Sequence, residues 1–208
     1  MLPNLNDYVK VLLFGALVIF GAGTTRAADD LPRDAAVIVL MRTDPNVPNG
    51  ACSGTVIAPG RVLSARHCDT GDAIRTPKGD FPVTERIAPT RNVDALIFVA
   101  PGVECPCIAP DLVLRLVEGD VVRAVGTPDG LPHDSSGRIL AIINASEIFP
   151  DEEGVYIMAS AQSRPGVSGG GLFIFRDGAW RLVGIVVASA RNGQISGSVP
   201  VWEVPELF

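Results

Sequence analysis

Arg164-Pro165-Gly166-Val167-Ser168-Gly169-Gly170-Gly171-Leu172-Phe173 is the stretch on which the reading of this 208-residue chain turns. A serine set among glycines and followed by an apolar run exposes a hydroxyl at the edge of a core. Glycines take backbone angles that other residues avoid and leave room for a second chain to approach. They also leave amide N–H groups uncovered, and two such donors stabilise a developing oxyanion. A serine hydroxyl is a weak nucleophile until a neighbouring base takes its proton. The chain has two histidines, His67 and His133, and both precede Ser168. Gly166-x-Ser168-x-Gly170 also fits a nucleophile elbow, but there the histidine follows the serine along the chain. That order is excluded.

Short apolar runs recur along the whole chain on the N-terminal and C-terminal sides of this stretch. They cover Ala36–Met41, 53–58 and Arg61–Ser64, then 121–125, 137–144, 154–159, 171–175 and 180–188. Turn residues separate them at Pro59-Gly60, Asp129-Gly130, Glu153-Gly154 and Asp177-Gly178. No segment carries a helical period, so the pattern predicts an all-β barrel or sandwich. Pro101-Gly-Val-Glu-Cys105-Pro-Cys107-Ile-Ala-Pro110 interrupts the strands and divides the chain into two halves.

Ser64-Ala65-Arg66-His67-Cys68, Asn92-Val93-Asp94-Ala95-Leu96-Ile97 and Gly166-Val167-Ser168-Gly169-Gly170 resemble the three signature segments of chymotrypsin-like (trypsin-fold) serine proteases, in that family's order. Its compact bacterial members are the nearer likeness. The resemblance implies two six-stranded antiparallel β-barrels, at about 35–105 and 111–208, with the active site in the cleft between them. It implies that Ser168 is the nucleophile, His67 the proton shuttle and Asp94 the carboxylate that orients the imidazole. It also places the oxyanion hole at the backbone N–H groups of Gly166 and Ser168. A carboxylate heading an apolar strand, as Asp94 does, needs such a partner, because an unpaired buried charge is costly. An Asp-His-Ser order using Asp34 fails for want of any βαβ pattern. His133 lies in a turn-rich loop and reads as a solvated surface residue.

In the same family a disulfide beside the catalytic histidine is a hallmark, and Cys52 and Cys68 stand 16 residues apart with Cys68 next to His67. Cys105 and Cys107 lie outside that pattern, and either a tight mutual bridge or two free thiols suits their spacing. For substrate binding the resemblance points to Val187, Ala188 and Ser189 as the strand that pairs with an extended peptide. Counting back from Ser168 puts Gln162 near the floor of the specificity pocket, with Ser189 and Gly197 on its walls. Gln162 is neutral, so no strong preference for arginine or lysine substrates is expected. Val167 stands where activated members carry an aspartate that pairs with a new N-terminus, which argues against activation by N-terminal insertion. Val187 stands where a serine often supports the buried aspartate.

Residues 1–27 read as a cleavable secretory signal: Lys10, an apolar run over 11–23, and small residues up to Ala27. Removing them takes away Asp7, Lys10 and Arg26, so the net charge of −6 becomes −7 on the remaining 181 residues. The mature chain is then expected to be secreted or periplasmic, monomeric, and without stable membrane association. No cluster of lysine and arginine occurs, which leaves nucleic-acid binding without an electrostatic footing. The expected partner is a protein or peptide substrate, and no metal or organic cofactor is implied. An exported serine endopeptidase is therefore the leading expectation. Its rivals are a protease-fold binding protein with little or no catalysis, and an esterase on the same scaffold.

Overall fold

The computed structural model describes residues 32–41, 51–190 and 192–208. The expected signal segment lies outside the described residues. The first half comprises β1 (Ala36–Met41), β2 (Ala51–Ala58), β3 (Arg61–Ser64), β4 (Gly71–Thr76), β5 (Gly79–Pro82), β6 (Glu85–Ile87) and β7 (Leu96–Val99). These strands make one antiparallel sheet in the order β5-β4-β1-β2-β3-β7-β6. The second half comprises β8 (Val121–Gly126), β9 (His133–Asn144), β10 (Val155–Ala159), β11 (Gly171–Arg176), β12 (Ala179–Ala190) and β13 (Ile195–Pro200). They close into a six-stranded antiparallel barrel, β10-β13-β12-β11-β8-β9. The all-β, two-lobed architecture expected from the sequence is thus present. Its first lobe differs in detail, being a seven-stranded sheet whose edges are β5 and β6, both short and mostly exposed. Short polar edge strands of this kind resist pairing with other chains.

Apolar packing explains why the sequence reads as it does. One core cluster fills the second barrel with Val122, Ile139, Ile157, Leu172, Val183 and Val186. Another fills the first sheet with Val39, Val62, Ile74 and Phe98, and runs on through Tyr156, Phe173, Leu182, Ile185 and Val187 of the second half. Successive strand residues point to opposite faces. β12 is covered on both, with Val183 and Val186 inside the barrel and Leu182, Ile185 and Val187 in the seam. Its run of apolar residues is unbroken for that reason. The β11–β12 hairpin turns on Asp177 and Gly178, at φ 53° and 77°, between the paired residues Arg176 and Ala179. Two left-handed residues give the turn whose twist matches the flanking strands.

The seam is also stitched by polar groups. Thr127 Oγ1 donates to Val37 C=O at 2.8 Å, and Glu153 N–H to Asn92 C=O at 3.0 Å. Cys52 and Cys68 are joined by a disulfide, with Cα atoms 6.2 Å apart and both residues buried. Cys105 and Cys107 are bridged to each other, which settles the alternative their spacing left open. The longer loop is the one that matters for folding. The Cys52→Ala/Cys68→Ala double variant is expected to lose about 3 kcal/mol of unfolding free energy, read as a lower urea midpoint. An unchanged midpoint would show that the bridge does not constrain the unfolded chain.

Candidate active site

β3 ends at Ser64, and a 3-10 turn over Arg66–Cys68 follows at once. The turn lifts His67 out of the sheet while the disulfide anchors its next residue, Cys68, to β2. Asp94, just before β7, grips His67 at two points. Its Oδ1 accepts the His67 backbone N–H at 2.9 Å, and its Oδ2 lies 2.7 Å from ring Nδ1. The carboxylate is 12% exposed and the imidazole 46%. A carboxylate oxygen can only accept, so Nδ1 carries the proton and Nε2 keeps its lone pair. The ring is thereby poised to take a proton at Nε2.

The Asp94 hydrogen bond is the main reason that His67 holds its proton to higher pH than an ordinary histidine. Partial burial opposes this, and the charges of Asp94, Glu152 and Asp69 reinforce it. Glu152 and Tyr156 did not stand out in the sequence. The Tyr156 hydroxyl hydrogen-bonds the Glu152 carboxylate, and Glu152 lines a cavity of 230 Å³ with Arg66, His67, Asp69, Asn92 and Asp94. Burial, foremost, raises the pKa of the Glu152 carboxyl. Neutralising it in Glu152→Gln removes a charge that favours the imidazolium, so the acid limb of the kcat/KM profile is expected to move to lower pH. A limb that stays put or moves upward would contradict the coupling. A larger hollow of 700 Å³ lies under residues 112–117 and Trp202, but its lining offers no nucleophile and no base.

Ser168 sits in the loop between β10 and β11, half-buried. Gly169 fixes where that loop lies. At φ +85°, a Cβ on it would fall 2.1 Å from Ser64 Oγ, 2.2 Å from Ser53 C=O and 3.1 Å from the Ala65 nitrogen. Only a glycine lets the loop press against the residues that lead into His67. Ser168 is brought beside the histidine turn in this way, and among the described residues its hydroxyl has no hydrogen-bond partner. In unliganded enzymes the contact between nucleophile and base is commonly long and tightens with substrate. Around the serine, the N–H groups of Val167, Gly169 and Gly170 are spent on Arg164, Val186 and Val167 carbonyls at 3.0, 2.7 and 2.8 Å. Those of Gly166 and Ser168 have no such partner among the described residues. Val167 is fully buried in the second barrel's core, where an unpaired aspartate would be costly.

The residues expected to bind substrate lie close together on the second barrel. Ala188 and Ser189 of β12 pair with Gly197 and Ser196 of β13, and Val187 is buried in the seam. A Cβ on Gly197 would touch the Ala188 side chain at 3.3 Å and Met158 at 3.6 Å. The loop carrying Gln162 is tied to the β12–β13 turn through Ser163 N–H and Gly193 C=O, at 2.8 Å. Gln162 itself donates its N–H to Ser135 Oγ at 2.7 Å. Its carbonyl meets ring Nε2 of His133 at 2.9 Å. His133 is therefore not the free surface residue its loop suggested; it braces the loop that bears Gln162. Nothing local to the residue signals this, because the partner is 29 positions away. His67 also lies close to the sulfurs of Cys52 and Cys68, but those are spent in a disulfide and offer no thiolate to a metal.

Residues 52–185 match the family model described as a trypsin-like peptidase domain. The chain belongs to that family. Its class is that of a serine-type peptidase, a hydrolase. No curated protein matches the sequence. Among solved structures it is similar to the active form of the Rv3671c protease from M. tuberculosis, with 20% identity over 88% of this chain and 82% of that one, at a TM-score of 0.71. It is also similar to a serine-to-alanine variant of the HtrA-type protease AlgW with a decapeptide, with 20% identity over 88% of this chain and 65% of that one, at a TM-score of 0.69. At such identities the likeness is one of fold.

Proposed function

We propose that this trypsin-like peptidase is an exported serine endopeptidase that cleaves peptide bonds through an acyl-enzyme. Ser168 Oγ attacks the scissile carbonyl while His67 Nε2 takes its proton. The imidazolium so formed is stabilised by Asp94 and returns the proton to the leaving amine. The oxyanion is held by the N–H groups of Gly166 and Ser168, and water then releases the acyl group by the same steps. The observation that carries the reading is the double grip of Asp94 on His67, 2.9 and 2.7 Å, beside a loop with two uncommitted N–H groups. Export rests on the segment 1–27, with the secreted or periplasmic product a monomer acting on proteins or peptides.

The test is covalent labelling of the mature chain by a serine-directed phosphonate, together with hydrolysis of casein and of simple esters. Labelling at Ser168 with casein cleavage supports the reading. Ester turnover without peptide cleavage would replace it by an esterase. Neither label nor turnover would make the protein a binding module.

A further inference from the structure

Ser53 is wholly buried in β2, next to the bridged Cys52. Every polar atom of this residue is engaged, and three of its contacts cross to the second half of the chain. Its hydroxyl donates to Gly166 C=O at 2.7 Å and accepts the Thr127 N–H at 2.8 Å. Its own N–H donates to Ser168 C=O at 2.7 Å, and its C=O accepts the Ser64 hydroxyl at 2.8 Å. One residue of the first sheet thus holds two carbonyls of the serine loop, spaced two positions apart.

The spacing has a consequence for the amides between them. The Gly166 and Ser168 carbonyls are turned toward Ser53, and the N–H groups of Val167 and Gly169 are committed to the carbonyls of Arg164 in the loop and Val186 in β12. The N–H groups of Gly166 and Ser168, which belong to the alternate peptide units, are left without internal partners among the described residues. Gly166 is at φ +89°, where glycine alone is unstrained and the backbone turns freely unless it is held. The Ser53 backbone N–H would serve with any residue at that position. The hydroxyl supplies the second hold, and no glycine or alanine would.

We propose that the Ser53 hydroxyl is a positioning residue for the oxyanion hole, fixing the Gly166–Val167 peptide so that the Gly166 and Ser168 N–H groups stay aimed at the reacting carbonyl. The inference rests on the peptidase reading above. It differs from the role of the catalytic groups, since Ser53 is buried and touches no substrate. Its effect falls on the transition state, where the oxyanion exists, and not on the bound substrate.

The test compares wild type, Ser53→Ala and Ser53→Thr in the mature chain. It reads kcat and KM on a peptide amide, affinity for a peptide boronic acid that forms a tetrahedral adduct, and the pH profile. Ser53→Ala is expected to lower kcat about 10–100-fold, less than deleting an oxyanion donor outright. Boronate affinity should fall by a similar factor. KM should change less than about twofold, because uniform binding is untouched. The acid limb should stay in place, since the His67–Asp94 pair is not altered. Ser53→Thr keeps the hydroxyl and is expected to recover most of kcat. Should Ser53→Ala fail to fold, the folded Ser53→Thr variant decides by the same readouts. Full kcat in folded Ser53→Ala, loss of kcat with undiminished boronate affinity, or a folded Ser53→Thr as slow as a catalytically dead enzyme would overturn the proposal. If wild type neither cleaves nor is labelled, the peptidase reading fails first, before Ser53 enters.

Discussion

Ser168→Ala is expected to lower kcat for peptide hydrolysis about 10⁶-fold, the scale on which a nucleophile deletion acts when its partners work as a unit. The variant should lose phosphonate labelling altogether. Its folding should be nearly unaffected, within about 0.5 kcal/mol of wild type, as for other substitutions away from packed or bonded groups. The hydroxyl has no internal hydrogen-bond partner among the described residues, so its removal orphans nothing. The backbone tie from Ser53 N–H to Ser168 C=O, at 2.7 Å, does not depend on the side chain. Parallel measurement of melting temperature and turnover separates the two effects. Substantial turnover in Ser168→Ala would move the nucleophile elsewhere, and a collapse in stability would mean that the loop relies on the hydroxyl.

Much of this site is legible in the sequence because its parts are local. Cys68 adjoins His67, glycines flank Ser168, and Asp94 heads an apolar strand; each motif keeps its meaning whatever it packs against. β1 and β3 are readable to the residue for a related reason, since their apolar runs end at clear turns. β4, β5 and β6 are not readable. Gly71-Asp-Ala-Ile-Arg-Thr buries only Gly71 and Ile74, and the strand exists because β1 offers it a partner. β13 is concealed differently. Its Ser196, Gly197 and Ser198 look like a loop, yet all three are buried between β10 and β12, where small side chains fit.

The parts of the site that the sequence hides are those made by distant pairs. Ser53 lies 113 positions from Gly166, and its serine-glycine context in β2 says nothing of the loop it holds. Glu152 stands in the acidic run Asp151-Glu152-Glu153, just before the turn at Glu153-Gly154. It reaches the histidine cavity only because the second lobe packs against the first there, with Glu153 N–H on Asn92 C=O at 3.0 Å. Glu152 adds to the charge that holds the proton on His67, and on the proposal above Ser53 governs how the Gly166 and Ser168 N–H groups point. Residue-type patterns can announce the reacting groups, whereas their tuning follows from contacts that only the fold brings about.

Asp94→Asn is expected to cost about 10⁴ in kcat with little change in KM, and the two-point grip explains why so small a change does so much. The carboxylate presents two acceptors, one to the His67 N–H at 2.9 Å and one to ring Nδ1 at 2.7 Å. An amide has one acceptor and one donor. With its oxygen kept on the backbone N–H, its NH₂ faces Nδ1, which must then give up its proton and accept. The proton moves to Nε2, and the atom that should receive the Ser168 proton is already occupied. With the amide turned the other way, Nδ1 keeps its proton but the NH₂ meets the His67 backbone N–H, two donors with no acceptor between them. The first arrangement removes the working base, and the second, which would keep it, is disfavoured by the opposed donors; size and packing are left intact by both. The ring also loses the carboxylate hydrogen bond that raises its pKa, so whatever activity remains should have its acid limb at lower pH. Activity within tenfold of wild type, or an acid limb displaced upward, would show that Asp94 does not set the tautomer of His67.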